Sequence, residues 1–163
     1  MAGASSSNGT GSGVKARHMR WLFNLWPPFL CAGIRVLHIA DDWRHVRVSL
    51  TRRWYNRNYI GTHYGGSLFS MADPFYMLML LHNLPPDLRV LDKAGCVDFL
   101  ALDKKRVTAD FRLEQSDIDD IVQAAASGEK VLRDFSVDIV NAEGKPVARV
   151  IKTLYIRKKR SVQ

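Results

Sequence analysis

The chain has 163 residues, 47% hydrophobic and 25% charged, the size and balance of one globular domain with a single core. At that length folding needs no disulfide or structural metal. Cys31 and Cys96 stand far apart with no His or Cys at ligand spacing, which argues against a zinc framework and for a reducing compartment. The formal net charge of +8 suggests a polyanionic partner at first. Seven of the 24 Lys and Arg, however, lie in the tails (Lys15, Arg17, Arg20 and Arg157 to Arg160), and all 16 acids fall between residues 21 and 156. The body is nearly neutral, and Arg157 to Arg160 reads as a solvated end rather than a nucleic-acid interface.

Residues 1–18 are rich in Gly and Ser and lack apolar periodicity, so they read as a flexible leader, with His18-Met19 as a cloning junction. They hold no basic stretch followed by an apolar one and a cleavage site, so no signal peptide is recognised. The longest apolar run, Pro74 to Leu81, is far short of the roughly 20 residues that span a membrane. The expectation is a cytoplasmic protein without membrane insertion, its single domain covering residues 19–163 and carrying a basic C-terminal tail.

From Met19 to Leu30 the sequence predicts a short apolar helix ended by Pro27 and Pro28. Gly33 to Ala40 and Trp43 to Leu50 form a hairpin around Asp41 and Asp42, and Val46, Val48 and Leu50 alternate with His45, Arg47 and Ser49 as a half-buried strand does. His38 and His45 have no ligand-type neighbours and read as strand histidines. A polar and aromatic connector then leads to SLFSMADPFYMLMLLHNL, apolar nearly all round and therefore a helix that other structure must enclose. Val90 to Leu100 follows as a long strand with a possible bulge at Gly95. Next comes an alternating strand at Val107 to Leu113, then a short helix framed by Ser116 and Asp119 and stopped by Gly128. Strands at Val131 to Ile139 and Val147 to Ile156 close the chain around the turn NAEGKP. Short links between paired strands make an α+β fold with a mainly antiparallel sheet, and the apolar helix has only the concave face of that sheet to lie against.

Inside that helix sits one carboxylate, Asp73. Unpaired and ionised there it would cost several kcal/mol, so it needs partners, a neutral form or a water-filled cavity. Gly66, Ser70 and Asp73 fall on one helical face. Pro74 follows and cannot donate, so the Ser70 carbonyl loses its usual partner and a kink is expected. Residue types alone leave Asp73 open as either a structural or a catalytic acid. Upstream, Gly65 and Gly66 at a helix start let a ligand approach free N–H groups able to stabilise an anion. The loop matches neither the phosphate-cradling nor the dinucleotide pattern.

The stretch N-Y-I-G-T-H-Y-G-G-S-L-F-S-M-A-D resembles the hot-dog fold thioesterases of the phenylacetyl-CoA thioesterase type. Their motif runs Asn, two residues, Gly, two residues, His-Gly-Gly, and an acid nine residues after the His. Asn58, Gly61, Gly65, Gly66 and Asp73 occupy the matching places. The span Trp21 to Arg157, with its ending K-T-L-Y-I-R-K-K, looks like a less characterised branch of that superfamily known as a domain of unknown function. The resemblance implies a hot-dog fold of six strands wrapped around the central helix. It also implies a homodimer, or a dimer of dimers, whose strands form one continuous sheet with active sites at the interface.

One position departs from the motif: Tyr64 stands where the His belongs, and His63 precedes it. A one-residue shift turns a helical side chain by about 100°, so His63 does not simply replace it. By the same resemblance the substrate is an acyl-CoA or other acyl thioester. Its carbonyl oxygen would face the Gly65 amide, with Asp73 of the other subunit as base or nucleophile. Asn58 would hold water or carbonyl, and Ser70 would orient the acid. His63 would serve as a polarising donor, and Tyr64 as a donor or a filler of space. Arg52, Arg53 and Arg57, Lys104 to Arg106 and the basic tail are candidates for the CoA phosphates. CoA enters only as part of the substrate, and no metal or redox cofactor is expected. Two other functions stay open: a non-catalytic acyl-CoA-binding or regulatory dimer, and a dehydratase or hydratase.

Overall fold

The computed structural model describes residues 16–159. Helix α1 (Ala16–Leu25) starts inside the stretch expected to be leader, and Ala16 is buried in the core. The remaining leader residues, 1–15, lie outside the described residues, as does Arg160. Pro27 and Pro28 do more than end α1. They open a second helix, α2 (Pro27–Ala32), because proline's fixed φ suits a first turn whose N–H groups have no helical partner anyway.

The strands are β1 (Ile34–Ile39), β2 (His45–Leu50), β3 (Leu88–Phe99), β4 (Val107–Arg112), β5 (Val131–Val140) and β6 (Pro146–Lys158), with α5 (Gln115–Ala125) between β4 and β5. They form one six-stranded sheet in the order β1-β2-β4-β5-β6-β3, every pair antiparallel. The alternations at β2, β4 and β5 hold, with Val46, Val48, Leu50, Val107, Ala109, Phe111, Phe135, Val137 and Ile139 all buried on one face. Short links between paired strands would set β3 beside β4, and that pairing does not form. Although β3 precedes β4 in the chain, it crosses to the far edge and pairs with β6 from Leu88 opposite Lys158 to Phe99 opposite Ala148.

Three local expectations are also revised. The irregularity in β3 falls between Asp92 and Ala94, so Lys93 is the extra residue and not Gly95. The cap of α5 is Glu114, whose side chain accepts from the Asp117 N–H while the Asp117 carboxylate accepts from the Glu114 N–H, in place of Ser116 and Asp119. Arg157 and Lys158 belong to β6 rather than to a solvated tail.

The long apolar helix is two helices, α3 (Gly65–Ser70) and α4 (Phe75–Asn83). Between them the Asp73 N–H donates to the Ser70 carbonyl at 3.4 Å, three residues back, where Pro74 has no hydrogen to give. The helices and the link between them press into the sheet: Leu68 is buried, and Met71, Ala72, Phe75, Met79 and Leu80 are fully buried. Phe75 and Tyr76 pack on Phe111, and Tyr76 also stacks on Phe135.

The two edges of the sheet differ. Along β1, Asn24 of α1 donates to the Val36 carbonyl at 3.0 Å and accepts from the Val36 N–H at 2.8 Å, and Arg20 donates to the Leu37 carbonyl at 3.1 Å. A side-chain amide thus pairs with the strand as another strand would, which blunts the edge. At the other edge β3 runs for 12 residues, and among the described residues no further strand pairs with it.

Pairing between β4 and β5 is confined to Thr108 with Val140 and Ala109 with Ile139. Beyond it the Tyr76 hydroxyl donates to the Ser136 carbonyl at 2.8 Å. Burial, and secondarily the charge of Asp117, push the Tyr76 phenol from its ordinary 10.0 up to about 12. The unfolded chain therefore loses this proton first, and stability falls as pH rises from 10 to 12. Titration by ultraviolet absorbance should show one tyrosine ionising near pH 12. Urea denaturation should lose about 2–3 kcal/mol across that window in the parent and not in Tyr76→Phe.

Candidate active site

The loop from Thr51 to Tyr64 is fixed by two asparagines. Asn56 donates to the Ala32 carbonyl at 2.7 Å and the Thr51 carbonyl at 3.0 Å and accepts from the Arg53 N–H. Asn58 donates to the Thr62 hydroxyl at 2.7 Å and the His63 carbonyl at 3.1 Å, and its own carbonyl accepts from the Thr62 N–H. Gly61, at φ +81, makes the turn between them. All the side-chain hydrogens of Asn58 are thereby engaged within the loop, so in this conformation it shapes the approach to α3 instead of presenting a free amide.

His63 is buried, and its Nε2 lies 2.6 Å from the Lys105 carbonyl. A carbonyl can only accept, so Nε2 carries the hydrogen. Arg52 makes a similar link, its Nε donating to the Lys104 carbonyl at 2.9 Å. Together they tie the entry loop of α3 to the segment after β3. Arg53 and Arg57 are exposed, as are Lys104, Lys105 and Arg106. A further cluster of cations, Arg89, Arg157, Lys158 and Lys159, lines a cavity of about 740 Å³ with Leu91 and Tyr155.

At the start of α3 the helical ladder begins with the Ser67 N–H donating to the Tyr64 carbonyl at 2.9 Å, so the Gly65 and Gly66 amides precede it. Both glycines lie close beneath aromatic rings. A Cβ on Gly65 would stand 2.8 Å from the Phe99 ring, and one on Gly66 would stand 2.5 Å from the Tyr64 ring. Gly65 borders a cavity of about 290 Å³ whose walls include Asn58, His63, Leu68, Phe99 and Leu102. Tyr64 is exposed and lies over Gly66.

Asp73 occupies the break between α3 and α4 and is half-exposed. Its Oδ1 is 2.6 Å from Nζ of Lys152 on β6, while among the described residues Oδ2 has no partner. The same Nζ lies 3.2 Å from Asp92 of β3 and 5.5 Å from the centre of the Phe69 ring. Ser70 is partly buried nearby, but its hydroxyl does not contact the carboxylate; Lys152 does. Asp73 does not line the cavity beside Gly65, so one chain holds the acid and the amides in separate places.

Sequence reasoning missed Lys152. The signal was available in the alternation of β6, where Ala148, Val150, Lys152, Leu154 and Ile156 all face the core and a lysine interrupts an otherwise apolar series.

A family model described as Domain of unknown function (DUF4442) matches residues 15–156. The chain belongs to that family. No curated protein matches this DUF4442 chain in sequence, but solved structures share its fold. A Pseudomonas aeruginosa protein of unknown function described as a probable thioesterase superposes with a TM-score of 0.78 at 20% identity, over 89% of this chain and 97% of its own. A Haemophilus influenzae thioesterase gives 0.64 at 14% identity, over 90% and 92%. A phenylacetic acid degradation protein from Thermus thermophilus gives 0.55 at 22%, over 79% and 97%. The DUF4442 chain therefore has the thioesterase-like hot-dog fold, six antiparallel strands around a central helical segment.

The His63 contact has a measurable consequence. In His63→Phe the loop anchor is lost and the Lys105 carbonyl loses its partner, so urea denaturation should show a loss of about 1–2 kcal/mol. A variant as stable as the parent would show that the contact holds nothing together.

Proposed function

We propose that this chain is an acyl-thioester hydrolase, with acyl-CoA as the substrate class, acting as a homodimer. The observation that carries the reading is Asp73: a half-exposed carboxylate whose Oδ2 has no partner among the described residues, set into the break of an otherwise apolar helical segment. The hot-dog relatives described as thioesterases support the same chemistry.

In the proposed reaction the thioester carbonyl lies against the Gly65 amide, which stabilises the oxyanion as it forms. Asp73 of the partner subunit takes a proton from the attacking water as general base. Collapse of the tetrahedral intermediate breaks the C–S bond, and the departing thiolate takes the proton that Asp73 removed from water, which restores the carboxylate. Assembly across a subunit boundary is favoured because Asp73 and the Gly65 cavity are separate within one chain. The open edge of β3 offers the surface for it, whereas the β1 edge is already covered by Asn24. Arg53 and Arg57, exposed beside the entry loop, are candidates for the CoA phosphates. Two exposed free thiols, Cys31 and Cys96, fit a reducing compartment, and the cytoplasm is the location this reading takes. The chemistry requires no metal or further cofactor.

A second reading, a dimer that binds acyl-CoA without turning it over, is favoured by Tyr64 at the His position of the motif and by the engaged amide of Asn58. The dehydratase reading finds less support, because it calls for a histidine working with the acid, and His63 Nε2 is directed at the Lys105 carbonyl.

Free-thiol release measured over short, medium, long and aromatic acyl-CoA substrates should show turnover that falls roughly 100-fold or more in Asp73→Asn. Saturable binding without release would select the second reading, and an unchanged rate in Asp73→Asn would remove Asp73 as base. Sedimentation equilibrium should give twice the 18.5 kDa of one chain, and Cys96→Pro, at the middle of the open edge, should shift the population towards single chains.

A further inference from the structure

Among the described residues, Lys152 is the only Lys, Arg, Asp or Glu in the buried set. Taking an ammonium out of water is costly, and replacing a buried ion pair by apolar groups of similar volume is often neutral or stabilising. Packing alone therefore gives no reason for a lysine here.

The surroundings are built to accommodate it. Gly95 of β3 is the direct cross-strand partner of Lys152. A Cβ on Gly95 would stand 3.3 Å from Cδ of the lysine and 2.7 Å from the Phe69 ring, so the missing side chain makes room for both. The stem passes through that gap and delivers Nζ between two carboxylates from different elements, Asp73 at 2.6 Å and Asp92 at 3.2 Å. The ring of Phe69 borders Nζ on another side. One oxygen of Asp73 is thereby fixed, while the other has no partner among the described residues.

We propose that Lys152 is a positioning residue for Asp73. It anchors Oδ1 so that Oδ2 alone is presented to water or to the thioester, and Asp92 in turn anchors the ammonium from the edge strand. The proposal rests on Asp73 being the reacting carboxylate. Lys152 itself does not meet the substrate; it acts through Asp73.

The test compares Lys152→Met, Asp73→Asn and the double variant, each as the full chain, in the thiol-release assay. In Lys152→Met, kcat should fall on the order of 10- to 100-fold with KM changed less than twofold, while the melting temperature stays at or above the parent value because Asp73 and Asp92 both retain access to water. In the double variant the rate should equal that of Asp73→Asn, since a residue acting only through Asp73 has nothing further to lose. In carbon-13 spectra at fixed pH, the Asp73 carboxyl resonance should move on Lys152→Met. Parent-like kcat in Lys152→Met, losses that multiply in the double variant, an unmoved Asp73 resonance, or a several-degree fall in melting temperature with kcat and KM changed together would each overturn the positioning role. Failure of the hydrolase reading is separate: the parent chain then releases no thiol and the positioning role falls with it, whereas turnover at the parent rate in Asp73→Asn removes Asp73 as base and overturns the positioning role alone.

Discussion

Pro74 withdraws one amide from the most apolar segment of the chain, and the fold is arranged around that missing hydrogen. Without it the segment cannot run as one helix; the chain tightens at Ser70 to Asp73 and resumes as α4. Met71, Ala72 and Phe75, on either side of Asp73, remain fully buried, so the interruption costs little apolar contact. Asp73 lies on the face of the segment that also carries the partly exposed Ser70 and Met77, and there its carboxylate meets water. Lys152 then answers that carboxylate from the sheet, so the helical and sheet layers meet through an ion pair as well as through apolar packing.

The glycines serve proximity more than conformational freedom. Gly65, Gly66 and Gly95 each lie under an aromatic ring at a distance that leaves no room for a methyl group. The rings of Phe99, Tyr64 and Phe69 therefore cover backbone at the start of α3 and beside Lys152. Three segments far apart in sequence converge there: the loop before α3, the end of β3 and the middle of β6. Anchors such as His63 to the Lys105 carbonyl and Arg52 to the Lys104 carbonyl hold the first two together.

What could be read from the sequence follows the range of each interaction. Period-two alternation revealed β2, β4 and β5 because one face of each is buried by the central helices, and burial leaves its imprint residue by residue. The kink before Pro74 was equally local. The placement of β3 was not: its partner β6 lies some 50 residues on, and hydrophobic pattern carries no record of which strand lies beside which. Glycine at position 95 suggested a bulge when its actual reason was the Phe69 ring and the Lys152 stem, contacts that exist only once the sheet has formed. The motif residues Asn58, Gly65 and Asp73 are visible as a set, yet the partner of Asp73 lies in β6, whose place beside the helical segment no local pattern records.

Asn24 has a consequence beyond the hydrogen bonds it makes. A sheet with both margins bare can add a copy at each end, and nothing in such growth brings it to a stop; the product is a fibre. With the β1 margin occupied by a side-chain amide, each molecule has one bare margin left, and joining like to like uses it up. The same small residue that satisfies Val36 thereby confines any strand-to-strand addition to the β3 margin.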